Sequence, residues 1–188
     1  MSEIFNLGNQ ILLDKGMRAS EFMQELSQFD DKWSQYNDFK PHIKRQGLCI
    51  INESGLNQSG PALNSLIEWN TRFDTDYSEN LLSEILHLCG RTHILRVPPG
   101  GYFPPHRDSR GEKEIDTFRL IMALSNTANP WFRFMLEDKP LHFEIGSLYA
   151  VNTTLEHTLF NASANDSYWL VINAHNTPEM HKWVRSNL

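Results

Sequence analysis

The stretch Arg96-Val97-Pro98-Pro99-Gly100-Gly101-Tyr102-Phe103-Pro104-Pro105-His106-Arg107-Asp108 decides how this chain is read. It begins like a strand, turns at the Pro/Gly run, and then sets a His and an Asp two residues apart. Side chains alternate along an extended segment, so residues i and i+2 leave the same face, and His106 and Asp108 can grip one ion. A His-x-Asp pair alone is equally a polar turn. A third ligand and a scaffold have to come from elsewhere in the chain.

The 188 residues suit one domain with a real core. Apolar residues make up 40% and charged ones 21%, without long charge blocks, which is a globular composition. A net charge of -6 argues against nonspecific binding to nucleic acid or an acidic membrane, both of which need a basic face. Acidic residues come early (Glu3, Asp14), and no basic flank leads into a long apolar run. The expectation is therefore a cytoplasmic protein with no membrane partner. Cys49 and Cys89 stand in apolar surroundings and are expected to be reduced and buried. Asn57 and Asn161 fit a glycosylation pattern that has no consequence without secretion.

Along the chain, Ser20 can cap a helix carrying Phe22, Met23, Leu26 and Phe29, ended by Asp30 and Asp31. Residues 44–52 turn strand-like, 53–61 are a polar loop, and 62–76 are ambiguous, with Trp69 and Phe73 hinting at a short helix. Leu81, Leu82, Ile85, Leu86 and Cys89 make the stripe of a second helix, with Gly90 available to cap its end. Short strands are then expected over 93–97, 117–124, 131–136, 147–151, 157–160 and 168–174. Strands so short and so regularly punctuated suggest an antiparallel jelly roll or barrel. The expected architecture is mainly β with flanking α-helices: one domain, 1–188, whose helical and mixed part (1–92) packs on a β-barrel core (93–176).

The third candidate ligand is His157, at the start of a predicted strand. Two imidazoles and one carboxylate on one face of an ion, with the opposite positions open, form the arrangement used in non-heme Fe(II) chemistry with O2. His87 and His93 read as helix-face and strand-end residues, and His142 as a turn residue.

Three segments in order, residues 96–108, 118–130 and 146–152 followed by 157–161, resemble the aspartyl/asparaginyl β-hydroxylase and proline-hydroxylase branch of the 2-oxoglutarate/Fe(II)-dependent oxygenases. The resemblance covers roughly residues 80–176. It implies a double-stranded β-helix (a cupin-like jelly roll) and Fe(II) held by His106, Asp108 and His157. It further implies 2-oxoglutarate chelating the metal as cosubstrate, O2 as oxidant, and hydroxylation of an amino-acid or peptidyl side chain. The partners implied are a small-molecule or peptide substrate; oligomeric state is not specified.

One position departs from the family pattern. An Arg commonly follows the distal His by ten residues and pairs with the far carboxylate of 2-oxoglutarate, and here that position is Ser167. On the strand from Phe118, residues 118, 120, 122 and 124 share one face and Arg119 shares the other with Ile121 and Ala123. A guanidinium projecting from a segment apolar on both faces needs an anion, so Arg119 is the first candidate anchor. Arg133 and Arg96 compete with it. Tyr102 can donate to the cosubstrate or be an exposed turn aromatic, and Asn173 and His175 close the last strand. The loop 109–116 reads as a charged rim or a plain hairpin loop. Two alternatives remain: a noncatalytic jelly-roll binding or sensor domain, which Ser167 favours, and a cupin-type metal enzyme that does not use 2-oxoglutarate.

Overall fold

The computed structural model describes residues 3–16, 18–27, 33–35, 44–51, 84–108, 117–127 and 130–188. Its frame is a pair of antiparallel sheets. β1 (Gln10–Gly16), β2 (Ser34–Gln35), β3 (Gln46–Ile51), β4 (Cys89–Val97), β6 (Thr117–Ser125), β9 (Ser147–Val151) and β11 (Ser167–His175) form a seven-stranded sheet in the order β1-β9-β6-β11-β4-β3-β2. β5 (Tyr102–His106), β7 (Phe132–Leu136), β8 (Lys139–Leu141) and β10 (His157–Asn161) form a four-stranded sheet in the order β5-β10-β7-β8. From β4 onward the chain passes back and forth between the two sheets, which is the path of a jelly roll. The expected fold class is the observed one.

β6 shows why the layers form. Six of its nine positions are buried and none is exposed, whereas strands facing water on one side alternate, because both of its faces are covered. Phe118, Leu120, Met122 and Leu124 meet Ile4, Phe5, Phe22 and Leu26 of the N-terminal segment and helix α1 (Ala19–Leu26). Ile121 and Ala123 face the other sheet and join Leu95, Val97, Phe132, Phe134, Tyr149, Leu159 and Trp169 in the inter-sheet core. Arg119 therefore projects between the sheets, as the alternation predicts.

Several elements differ from the sequence expectation. β1 pairs with β9, and β3 pairs with β4, so the described part of the first 92 residues extends the large sheet as well as covering it. Gly90 lies inside β4 and caps no helix, because the chain after Leu88 passes straight into the strand. Leu81 and Leu82 of the proposed stripe, the loop 53–61, residues 62–76 and the rim 109–116 lie outside the described residues. Helix α2 (Pro178–Arg185) follows the barrel. Thr177 caps it by accepting from the Met180 N–H, Pro178 opens its first turn, and Met180 and Val184 are fully buried. Cys89 is a buried free thiol, as expected.

The segment that opened the sequence reading holds both a turn and a strand. Gly101 N–H donates to Pro98 O at 2.8 Å and Gly100 takes φ 72°, a left-handed conformation that glycine adopts without strain. β5 follows at once, although two of its residues are prolines. It lies at the edge of the four-stranded sheet, and its pairing with β10 slips between Phe103 and His106, where Pro104 and Pro105 have no N–H to give.

Candidate metal centre

His106 ends β5, Asp108 follows two residues later, and His157 begins β10 directly opposite His106 in the strand register. Backbone pairing thus brings the two imidazoles together, with ring centroids 4.1 Å apart. Asp108 is fixed by its own N–H, which donates to Thr153 O at 3.1 Å, just after β9. One potential ligand atom from each of the three side chains lies within 4.8 Å of the others.

The hydrogen bonds settle which ring nitrogens are available. His106 Nδ1 lies 2.9 Å from Pro104 O and His157 Nδ1 lies 3.0 Å from Leu155 O. A carbonyl only accepts, so each Nδ1 carries the proton and each neutral ring keeps the Nε2 lone pair for a metal. Phe103 packs on the His106 ring at 4.0 Å, and Phe134 lies parallel to His157 at 6.1 Å, fixing both ring planes.

Electrostatics favour the ligating protonation states. Burial, reinforced by the neighbouring His157, brings His106 down to about 4. Burial also lowers His157. For Asp108 burial opposes ionisation, yet Arg119 and His157 outweigh it and hold the carboxyl below its ordinary value. Near neutral pH the site is two neutral imidazoles and one carboxylate, the form that binds a cation without first losing protons.

Around these residues lies a cleft with an empty volume of about 540 Å³ including its mouth. Its walls are mostly apolar, with Arg45, His93, Arg119, Thr153 and Asn173 as the polar members besides the three candidate ligands. Arg119 Nη2 stands 3.2 Å from Asp108 Oδ2, and Nη1 donates to Thr117 Oγ1 at 2.9 Å. Asn173 is its register partner on β11. Asn173 Oδ1 is buried without a hydrogen-bond partner and would accept from a donor in the cleft, while the Thr153 hydroxyl donates to the Asp108 carboxylate and favours its ionised form.

The other sequence candidates lie elsewhere. Arg133 is exposed between inward-facing Phe132 and Phe134, and Tyr102 packs edge-on against the half-exposed Phe160, its cross-strand neighbour. Strand alternation puts both outside the cleft. Arg96 is bound to Asp166 at 2.6 Å and packs near Trp33 and Tyr168. Ser167 is fully buried, accepts from Trp169 Nε1 at 2.8 Å and donates to Ser125 O, so it has a structural task. Beside it Trp169, Phe132, Phe134 and Phe143 fill the barrel. Sequence reasoning missed Arg45 and Thr153 altogether, and it read His93 as a mere strand end. His93 could have been found from its two-residue spacing to Leu95 on an inner strand face; nothing local marks Arg45.

Solved structures share this fold. A prolyl-4-hydroxylase from Pseudomonas putida matches over 93% of this chain and 96% of its own, with a TM-score of 0.61 at 11% identity. A prolyl hydroxylase from Trichoplax adhaerens, solved with a hypoxia inducible factor peptide fragment, matches over 95% and 88% (TM-score 0.57, 10% identity). A 2OG-Fe(II) oxygenase family oxidoreductase from Burkholderia pseudomallei matches over 94% and 88% (TM-score 0.54, 11% identity). The fold is that of the 2-oxoglutarate/Fe(II) oxygenases. No family model matches the sequence, and no curated protein matches it significantly. At such identities the likeness is one of fold, and the chemistry has to be argued from the cleft.

Proposed function

We propose that this chain is a single-domain, cytoplasmic Fe(II)- and 2-oxoglutarate-dependent dioxygenase that hydroxylates an amino-acid or peptidyl side chain. The observation that carries the proposal is the His106, Asp108 and His157 cluster, with both Nδ1 atoms turned to backbone carbonyls, both Nε2 atoms left as the possible ligand atoms, and an anionic carboxylate beside them. Nitrogen and oxygen donors of this kind suit Fe(II). Iron held there would supply O2 activation, with one oxygen atom ending in succinate as 2-oxoglutarate loses CO2 and the other in the product hydroxyl.

The chain's own residues have separable tasks. His106, Asp108 and His157 hold the metal, and the carbonyls of Pro104 and Leu155 fix the imidazole tautomers. Arg119 anchors the distal carboxylate of 2-oxoglutarate, supported by its place between the sheets and by Asn173 opposite it. Phe103, Phe134 and Leu159 keep bulk water from the reacting groups. Among the described residues no helix is long and apolar enough to cross a membrane.

The test is succinate formation from 2-oxoglutarate with Fe(II) and O2, with Zn(II) in place of iron as control. Iron-dependent succinate is the expected result. Tight 2-oxoglutarate binding without turnover would favour a sensor domain, for which the structural role of Ser167 speaks. No binding at all would favour a metal protein that uses another substrate.

A further inference from the structure

We propose that Arg45 receives a carboxylate of the second substrate, so that the molecule hydroxylated presents a free carboxylate near its oxidised carbon. Its class is then a free amino acid or the C-terminal residue of a peptide, and an internal peptide residue is excluded. The inference rests on the oxygenase reading above and adds the group by which the substrate is recognised.

Arg45 does not belong to the jelly roll's own strands. It immediately precedes β3, which hangs on the outer edge of β4. The residue before it, Lys44, takes φ 55° and reaches Pro99 O with its Nζ at 3.5 Å. That left-handed conformation costs a side-chain-bearing residue about 1–2 kcal/mol, and such outliers persist where the surroundings over-determine them. Next to this bend Arg45 is buried to 2% exposure and lines the cleft. Its guanidinium carbon stands 3.4 Å from the centre of the Phe103 ring, and that ring packs on His106. One aromatic ring therefore separates a positively charged fork from a candidate metal ligand.

Two guanidinium groups line one cleft, both carried by the seven-stranded sheet but by strands three places apart in its order. Arg119 comes from β6 beside Asp108, and Arg45 lies against Phe103 of β5. A 2-oxoglutarate whose keto-acid end is at the metal has one distal carboxylate, which one planar fork satisfies. Arg119 takes that carboxylate in the function proposed above, and Arg45, besides the structural contacts it makes, presents a second fork to the same cleft. Stacking on Phe103 fixes the Arg45 plane before a ligand arrives, which reduces the ordering cost of binding. With five N–H donors, Arg45 can keep structural contacts and still offer a pair to a carboxylate. Leu95, Ile121, Leu159 and Val171 between the walls exclude water and strengthen such a pair.

The experiment pairs protein variants with ligand variants. Each proteinogenic L-amino acid is offered as the free acid, as the primary amide and as the C-terminal residue of a glycyl dipeptide. The readouts are stimulation of succinate release and binding to the Mn(II)-loaded protein with 2-oxoglutarate under anaerobic conditions. The wild-type protein is expected to respond to at least one free acid or dipeptide and not to its amide; the free-acid and dipeptide arms separate the two sources of the carboxylate. Arg45→Met is expected to weaken that acid about 100-fold and to abolish the preference over the amide. Arg45→Lys, which keeps the charge and loses the fork, should fall between them and decides the matter if Arg45→Met does not fold.

Equal response of the wild type to acids and amides overturns the inference. So does a loss of affinity in either variant that falls on 2-oxoglutarate and spares 2-oxopentanoate, because Arg45 would then hold the cosubstrate. Absence of any succinate in the wild type would instead sink the oxygenase reading, and this inference with it.

Discussion

Replacing Arg119 by Met tests the cosubstrate anchor and yields two separable magnitudes. The first concerns the protein alone. At 3.2 Å the Arg119–Asp108 attraction is about 5 kcal/mol at an effective dielectric constant of about 20. Both side chains are largely buried, 16% and 21% exposed, so deleting one partner leaves a carboxylate with little water to replace it. Breaking a buried pair in this way costs about 3 kcal/mol. Burial, no longer opposed by the guanidinium, then pushes the Asp108 carboxyl up. The second magnitude concerns the ligand. A fork lost from a carboxylate removes two charge-assisted hydrogen bonds, about 3 kcal/mol together, which weakens 2-oxoglutarate about 150-fold. The assay is calorimetric titration of the Mn(II)-saturated protein with 2-oxoglutarate and with 2-oxopentanoate, in which a methyl group replaces the distal carboxylate. Arg119→Met should weaken the first about 150-fold and leave the second nearly unchanged. Equal weakening of both ligands would show that Arg119 serves only to hold Asp108, and no change in either would move the anchor to another cation of the cleft.

Asp108→Ala should lower Fe(II) affinity by more than about 100-fold and abolish succinate formation, since even groups that only support a ligand are worth 10- to 100-fold; metal content by atomic absorption and near wild-type turnover are the decisive readings. The metal-free protein should lose stability as the pH falls from about 6.5 to about 4, because the unfolded chain binds a proton at His106 in that window and the folded chain does not. The loss is on the order of 1–2 kcal/mol after discounting for solvent screening, and a melting temperature flat across the window contradicts it. Gly101→Ala should destabilise the fold and weaken metal binding together, because an added Cβ would stand 2.6 Å from Val97 Cγ1 and 2.7 Å from Pro98 O, at the turn that sets β5. A wild-type melting curve for that variant counts against the turn's role. Trp169→Ala should cost about 3–5 kcal/mol by emptying the aromatic core, read as a shifted urea midpoint, and an unshifted midpoint contradicts close packing there.

What could be read in advance follows the range of the interaction involved. His106 and Asp108 were legible because an i, i+2 relation in an extended segment is a local fact, and Arg119 because Phe118, Leu120, Met122 and Leu124 define a face that excludes it. The same alternation misleads for Arg133 and Tyr102 until the position of the second sheet is known. Phe132 and Phe134 turn inward onto Trp169, and Phe103 turns inward onto His106, so the residues between or beside them turn out. Neighbouring aromatics were thus better evidence for direction than the charge of the arginine.

Arg45 is the opposite case. Its place in the cleft needs β3 to dock on β4, Lys44 to bend left-handed and Phe103 to face inward, three facts from three parts of the chain. No window of sequence contains them. Strands β4 to β11 and their connections carry the candidate ligands and Arg119, which a pattern of strands can announce, while the group proposed to choose the substrate arrives just before a strand added beyond β4. Edge additions alter the cleft without disturbing the pairing of the inner strands. Recognition can therefore change with few constraints from the fold, and it is the part of the site that a strand pattern is least able to disclose.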